Sequence, residues 1–541
     1  MRLTVAGQLV DPIARTISPA AVSVEHGRIA AIEPYPQAPQ RFIMPGFIDA
    51  HVHVESSMLV PSEFARLAVR FGTVATVSDP HEIANVLGAD GVRYMIENGR
   101  TVPFKFNFGA PSCVPATAFE TAGAAIDSKG VRALLEMPEI RYLSEMMNWP
   151  GVLFGDAEVG AKIAAARELG KPVDGHAPGL KGEQAATYAA AGISTDHECF
   201  TYEEAAGKAR LGMKILIREG SAARNFEALW PLLNERPELC MLCSDDKHPD
   251  DLVAGHIDRL VARAVAKGVP LWNVLTASCV NPVRHYGLPV GLLRPGDPAD
   301  FIEVSDLKDF RVLRTWIDGR CVADGGLTLF DTKPAAIVNA FRCGPKKPGD
   351  FRVEAKPGKI RAIVAIDGEI ITKEEHLAPK VDGGAAVADP SRDLLKISVV
   401  NRYADAPPAV AFVKGFGLRS GALASTVAHD SHNIVAVGAD DASLCRAVNA
   451  LVEARGGVAF ADANGVRVLP LPIAGLMSPD SGEMVAAKYQ EIDRATKAAG
   501  VTLRAPFMTM SFLALLVIPQ LKLSDKGLFD GAAFKFVEGW V

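Results

Sequence analysis

Between Phe42 and Asp245 the sequence alternates short apolar, strand-like runs with helix-period segments, eight times over. The runs are "FIMPGFIDAHVHV", "TVATVSD", "FKFNFGA", "IRYLSEM", "KPVDGH", "GISTDH", "MKILIRE" and "LCMLCSD". The segments that accompany them, such as "SEFARLAVRFG", "DAEVGAKIAAARELG", "KGEQAATYAAAG" and "GHIDRLVARAVAKG", carry apolar residues at i, i+3 and i+4 and often end in Gly. Eight strands, each followed by a helix, predict an α/β fold, a TIM-like (β/α)8 barrel over residues 41–285.

Active-site residues of such barrels sit at the C-terminal ends of the strands. Those ends hold His51 and His53, Asp79, Glu145, His176, His197, Arg218 and Asp245. His51 and His53 are two apart in a strand, so both rings point the same way and make half of a transition-metal site. One histidine on an apolar face is ordinarily a satisfied core residue, but His51 with His53, Glu145, His176, His197 and Asp245 at five of the eight strand ends go beyond that. His51, His53, Glu145, His176, His197 and Asp245 supply enough ligands for two divalent ions. His51, His53 and Asp245 would hold one ion and His176 and His197 the other, with Glu145 bridging and a hydroxide shared between them. Imidazole and carboxylate without thiolate suit iron, manganese or zinc.

The chain has 541 residues, 49% of them hydrophobic and 22% charged, enough to bury a large core in more than one domain. Residues 1–40 and 286–340 are both β-rich and are expected to pair into one small β-sandwich. Beyond "AFRCGPKKPGDF" the pattern changes, and residues 341–541 read as a separate α+β domain. A net charge of -6 without long basic runs argues against nucleic acid as a partner. The start lacks the features of a signal peptide, and the apolar run from Phe512 is broken by Pro519, so no membrane span is expected. Eight cysteines without framework spacing favour a reducing, cytoplasmic setting, and Cys240 and Cys243 read as buried strand thiols.

The motifs "PGFIDAHVHVESS", "DGHAPG", "STDHE", "CSDD" and "PGDPADF" resemble those of the amidohydrolase superfamily. Within it, "SDPHEIANVLG", "PSCVPAT", "LSEMMN", "IREGSAARN" and "HDSHNI" are similar to the bacterial adenine deaminases, over nearly the whole chain. The resemblance implies hydrolytic deamination of adenine to hypoxanthine and ammonia by a metal-activated hydroxide, in purine salvage. The metals it implies are a manganese or iron pair, zinc also suiting the donors. Many superfamily members bridge their metals with a carboxylated lysine on the fourth strand, where this chain offers Glu145, as adenine deaminases do. Single-metal adenosine deaminases place an acid three residues beyond the fifth-strand histidine, where this chain has Gly179. The alternative is another binuclear amidohydrolase, acting on a cyclic amide or a different amino-heterocycle. A non-enzymatic scaffold is disfavoured because every ligand position is filled.

Deamination needs hydroxide attack, protonation of a ring nitrogen and protonation of the leaving amine. Asp245 is placed to take and return the first proton, and Glu82 is the candidate acid for the ring nitrogen. Glu82 could instead serve only the start of the helix that follows it. Asp79, His81, Ser112 and Arg218 are candidate substrate contacts, although Arg218 could simply neutralise nearby carboxylates and Ser112 could serve turn geometry. Asp246 and His248 are expected to position Asp245 and start the next helix, and His256 to lie mid-helix. His429, Asp430 and His432 either close the barrel mouth or form a solvated turn. Expected partners are the small-molecule substrate and water, with a homo-oligomer left open.

Overall fold

The computed structural model describes residues 2–541. Eight short parallel strands build the central domain: β1 (Phe47–Val52), β2 (Thr73–Ser78), β3 (Lys105–Ala110), β4 (Ile140–Met146), β5 (Val173–Gly175), β6 (Thr195–Asp196), β7 (Lys214–Arg218) and β8 (Cys240–Cys243). β1 to β5 pair in sequence order, as do β6 to β8. Backbone hydrogen bonds close both seams, Ser194 N–H to Val173 O at 2.9 Å and Asp245 N–H to His51 O at 2.9 Å. The result is a TIM-like α/β domain in which β1, β2 and β8 are buried along their whole length.

The first apolar run divides in two. Phe42–Pro45 pairs with Phe301–Val304 and with Gln8 and Leu9, whereas β1 begins at Phe47 in the barrel. Gly46 is the junction, packed so closely on Val74 that a Cβ would lie 2.3 Å from its Cγ1. An unbroken apolar run hides such a change of partner, because burial on either sheet asks for the same residue types. The two flanking segments pair, as expected, into one hydrogen-bonded eight-stranded sheet spanning residues 2–45 and 301–328.

The C-terminal region carries a second eight-stranded sheet, whose middle strands are Ala409–Lys414, Leu395–Val400, Ile434–Gly438 and Ala422–Ser425. Its helix Asp441–Ala454 lays Leu444, Val448 and Leu451 on one face of that sheet. On the other face Val399, Leu423 and Val435 join the same apolar core as the barrel residues Val52 and Met146. That shared core brings the 426–433 connection, between Ala422–Ser425 and Ile434–Gly438, over the barrel mouth. The apolar stretch from Phe512 forms one short 3-10 turn, and no helix among the described residues is long and apolar enough to cross a membrane.

Candidate metal centre

The ligand-type side chains converge at the C-terminal ends of the barrel strands, and all are buried. His51 Nε2 and His53 Nε2 face each other at 3.2 Å, and Asp245 Oδ1 lies 3.3 and 3.4 Å from them. Asp49, two residues before His51, accepts the Ser244 N–H at 2.9 Å and so fixes β1 against β8. Asp245 itself has φ +55°, a left-handed turn that a non-glycine residue adopts only under constraint. The main-chain carbonyl of Asp79 faces His53 Nδ1 at 3.2 Å and orients the ring.

Glu145 lies between two histidine pairs. Its Oε2 is 2.7 Å from His176 Nδ1 and 3.0 Å from His197 Nε2, and its Oε1 is 3.4 Å from both His53 Nε2 and His81 Nδ1. Burial works to raise the Glu145 carboxyl, but His176 and His197 outweigh it and hold the group well below the usual carboxylate range. Tyr188 aligns β4 with β5 beneath this point, donating to Met146 O at 2.7 Å and accepting the His176 N–H at 3.0 Å.

Clusters of donor atoms close enough to hold an ion include His51–His53–Asp245, His51–Glu145–His197 and His176–His197–Glu198. Side-chain atoms His51 Nδ1 and His176 Nε2 are buried without a hydrogen-bond partner. Imidazoles facing one another around carboxylates, with no protein donor to satisfy them, fit divalent cations better than a hydrogen-bonded core.

Arg218, Ser112 and Asp79 make other contacts than those expected of substrate-binding groups. Arg218 lines the cavity, yet its guanidinium is engaged by Glu198 at 2.5 and 2.9 Å and by Asp245 Oδ2 at 2.5 Å, the neutralising alternative. Ser112 donates its hydroxyl to the Glu145 main-chain carbonyl at 2.6 Å and does not line the cavity. Asp79 accepts the His81 N–H at 3.1 Å and is likewise absent from the lining. His81 does line the cavity. His256 is fully buried just before its helix, between Thr73 at 2.7 Å and Asp49 at 2.9 Å, and is not mid-helix.

Glu82 stands in the first turn of His81–Leu87, but its carboxylate turns to the C-terminal domain: Oε1 takes His429 Nδ1 and Oε2 takes His432 Nε2. Burial opposes the charge on Glu82, yet His429, His432 and His81 hold it well below its ordinary value. Burial would lower His429, but Glu82 and Asp246 push it up to about 9. The 429–432 cluster therefore faces the barrel mouth. Asp246 takes the Ser56 hydroxyl at 2.5 Å, and His248 meets the Tyr489 hydroxyl at 2.7 Å at the start of helix Pro249–Ala254.

Sequence reasoning did not single out Glu198, although it directly follows His197, nor the apolar roof of Ile370, Phe512 and Leu515. Adjacency to a ligand was the only sequence signal for Glu198; the roof left none, since its partners are remote.

Comparison with known proteins gives two family matches, "Amidohydrolase family" over residues 42–322 and "Adenine deaminase C-terminal domain" over residues 369–535. The chain is 59% identical over 540 residues to an adenine deaminase of Salinibacter ruber, covering 99% of each chain. It is 57% identical over 530 residues to one of a Sulfurovum species, covering 98% of each, and 52% identical over 545 residues to one of Methanosarcina barkeri, covering 99% of each.

Proposed function

The chain belongs to the adenine deaminase family of amidohydrolases, and from that premise we propose how its residues divide the work of removing the amino group of adenine. The activity is hydrolysis of adenine to hypoxanthine and ammonia, a reaction of purine salvage. The observation that carries the residue assignment is Glu145, whose two oxygens face different histidine pairs.

His51, His53 and Asp245 would hold one divalent ion and His176 and His197 a second, with Glu145 shared; the donor set suits manganese or iron, with zinc also compatible. When bound, such a pair lowers the pKa of water and polarises the electrophilic carbon. Arg218 occupies Asp245 Oδ2 and leaves Oδ1 on the side of His51 and His53. That carboxylate is placed to accept a proton from the attacking water and deliver it to the departing amine. Glu82, clamped by His429 and His432, relays a proton to the ring nitrogen, with His429 as its source. His81, between Glu145 and Glu82, contacts the base. Eight unpaired cysteines, seven of them buried, support a reducing cytosolic setting.

The test is incubation with adenine, following the ultraviolet change from adenine to hypoxanthine, alongside elemental analysis of the same preparation. Turnover that scales with up to two ions per chain supports the reading, and full turnover with one ion contradicts it.

A further inference from the structure

The ligand cluster is roofed by Ile370, Phe512 and Leu515, which come from outside the barrel. With Met508 and Ile518 they form a small apolar cluster against Ala222 and Ala223 of the loop after β7, separate from the main core. The free volume beneath them is about 20 Å³, space for a water-sized group and not for a purine. A purine therefore does not fit beneath the roof as it stands.

Ile370 and Phe512 lie far apart in the chain, and one side chain ties them together. Lys522 Nζ donates to Ile370 O at 2.6 Å and to Phe512 O at 2.8 Å. Lys522 is fully buried on the strand Leu521–Ser524, and among the described residues no carboxylate forms an ion pair with it. Burial alone pushes its ammonium down to about 7. A buried ammonium without a counter-ion is costly, and a neutral donor could satisfy either carbonyl at less expense. What this long, three-donor side chain adds is a simultaneous hold on both roof segments. The Phe512 ring also stacks on His429, centroids 5.0 Å apart and planes at 20°, so the roof bears directly on the clamp around Glu82.

We propose that Lys522 is a positioning residue that latches Ile370 and Phe512 over the metal cavity, setting how readily the cavity opens to substrate and to solvent. The proposal rests on reading the cavity as the metal centre, and its test separates the two. In the metal-free protein, Lys522→Met should raise amide hydrogen exchange at residues 370–372 and 512–518, a readout that needs no metal. In the metal-loaded enzyme the same variant should lose its ions to excess chelator about 10-fold faster, the scale set by losing a charged hydrogen bond. It should also raise KM for adenine more than it lowers kcat, with Lys522→Arg restoring most of both. Phe512→Ala, which keeps Lys522 and opens the roof, should speed chelation as well and covers the case in which Lys522→Met fails to fold. Unchanged exchange, unchanged chelation and an unchanged KM in Lys522→Met, with only a lower melting temperature, would overturn the latch. So would Phe512→Ala with wild-type chelation. A wild-type protein that binds no ion, yet shows the exchange difference, would sink the metal reading and leave the latch standing.

Discussion

Glu82 of the barrel and His429 of the C-terminal domain are hydrogen-bonded, 347 residues apart in the chain, and His432 holds the other oxygen of the same carboxylate. A helix-end role alone would leave Glu82 near the backbone N–H groups of its own first turn. Its attachment to two remote imidazoles brings the C-terminal domain to the cavity at the barrel mouth, where the proposed proton relay would use it. Glu82→Gln should therefore keep its metals and fold while lowering turnover by about 10²–10⁴-fold, as for a positioned acid–base group. Loss of about 0.3–1 kcal/mol of stability with near-normal turnover would return Glu82 to a helix-end role.

The clamp makes its own prediction. His432→Ala leaves Glu82 Oε2 buried without that partner, which should cost about 1–3 kcal/mol of stability. Denaturant midpoints measure that cost. Adenine turnover in the same variant should fall while metal content stays at the wild-type level, since His432 lies outside the ligand clusters around Glu145. Loss of metal from this variant would place the histidine in the metal centre itself.

The buried Lys522 gives stability a defined pH dependence. Folding lowers its pKa from 10.5 to about 7, so between those values the unfolded chain holds more protons than the folded one. Stability then rises with pH across that window, relative to a variant without the ammonium. Comparing wild type with Lys522→Met by chemical denaturation from pH 7 to pH 10 should show the gap between them shifting in favour of wild type. A gap that is flat or shifts the other way contradicts the unpaired assignment.

With a roof this close, adenine should be turned over far better than adenosine, whose ribose adds bulk to the base. The ratio of kcat/KM for the two substrates measures this. Comparable values would contradict a site shaped for the free base.

The strand ends were legible because a polar residue terminating an apolar run is a local signal, and His51, His53, Glu145, His176, His197 and Asp245 all gather where that signal placed them. What escaped is what depends on remote partners. Glu198 meets Arg218 on the neighbouring strand and His176 on the strand before it, contacts that no local pattern announces, and Ser112 faces Glu145 in place of the cavity because the two meet across β3 and β4. The split at Gly46 was hidden in one continuous apolar run. The 429–432 cluster could not be oriented from its spacing, since its partner lies in another domain.

The central claim is that Glu145 joins two metal sites, and metal titration of Glu145→Gln tests it most directly. Stripped wild-type protein should take up two manganese ions per chain with the magnetic-resonance signature of a coupled pair. Glu145→Gln should lose the coupling, bind at most one ion tightly and lose adenine turnover. A coupled pair and full turnover in Glu145→Gln would contradict the account.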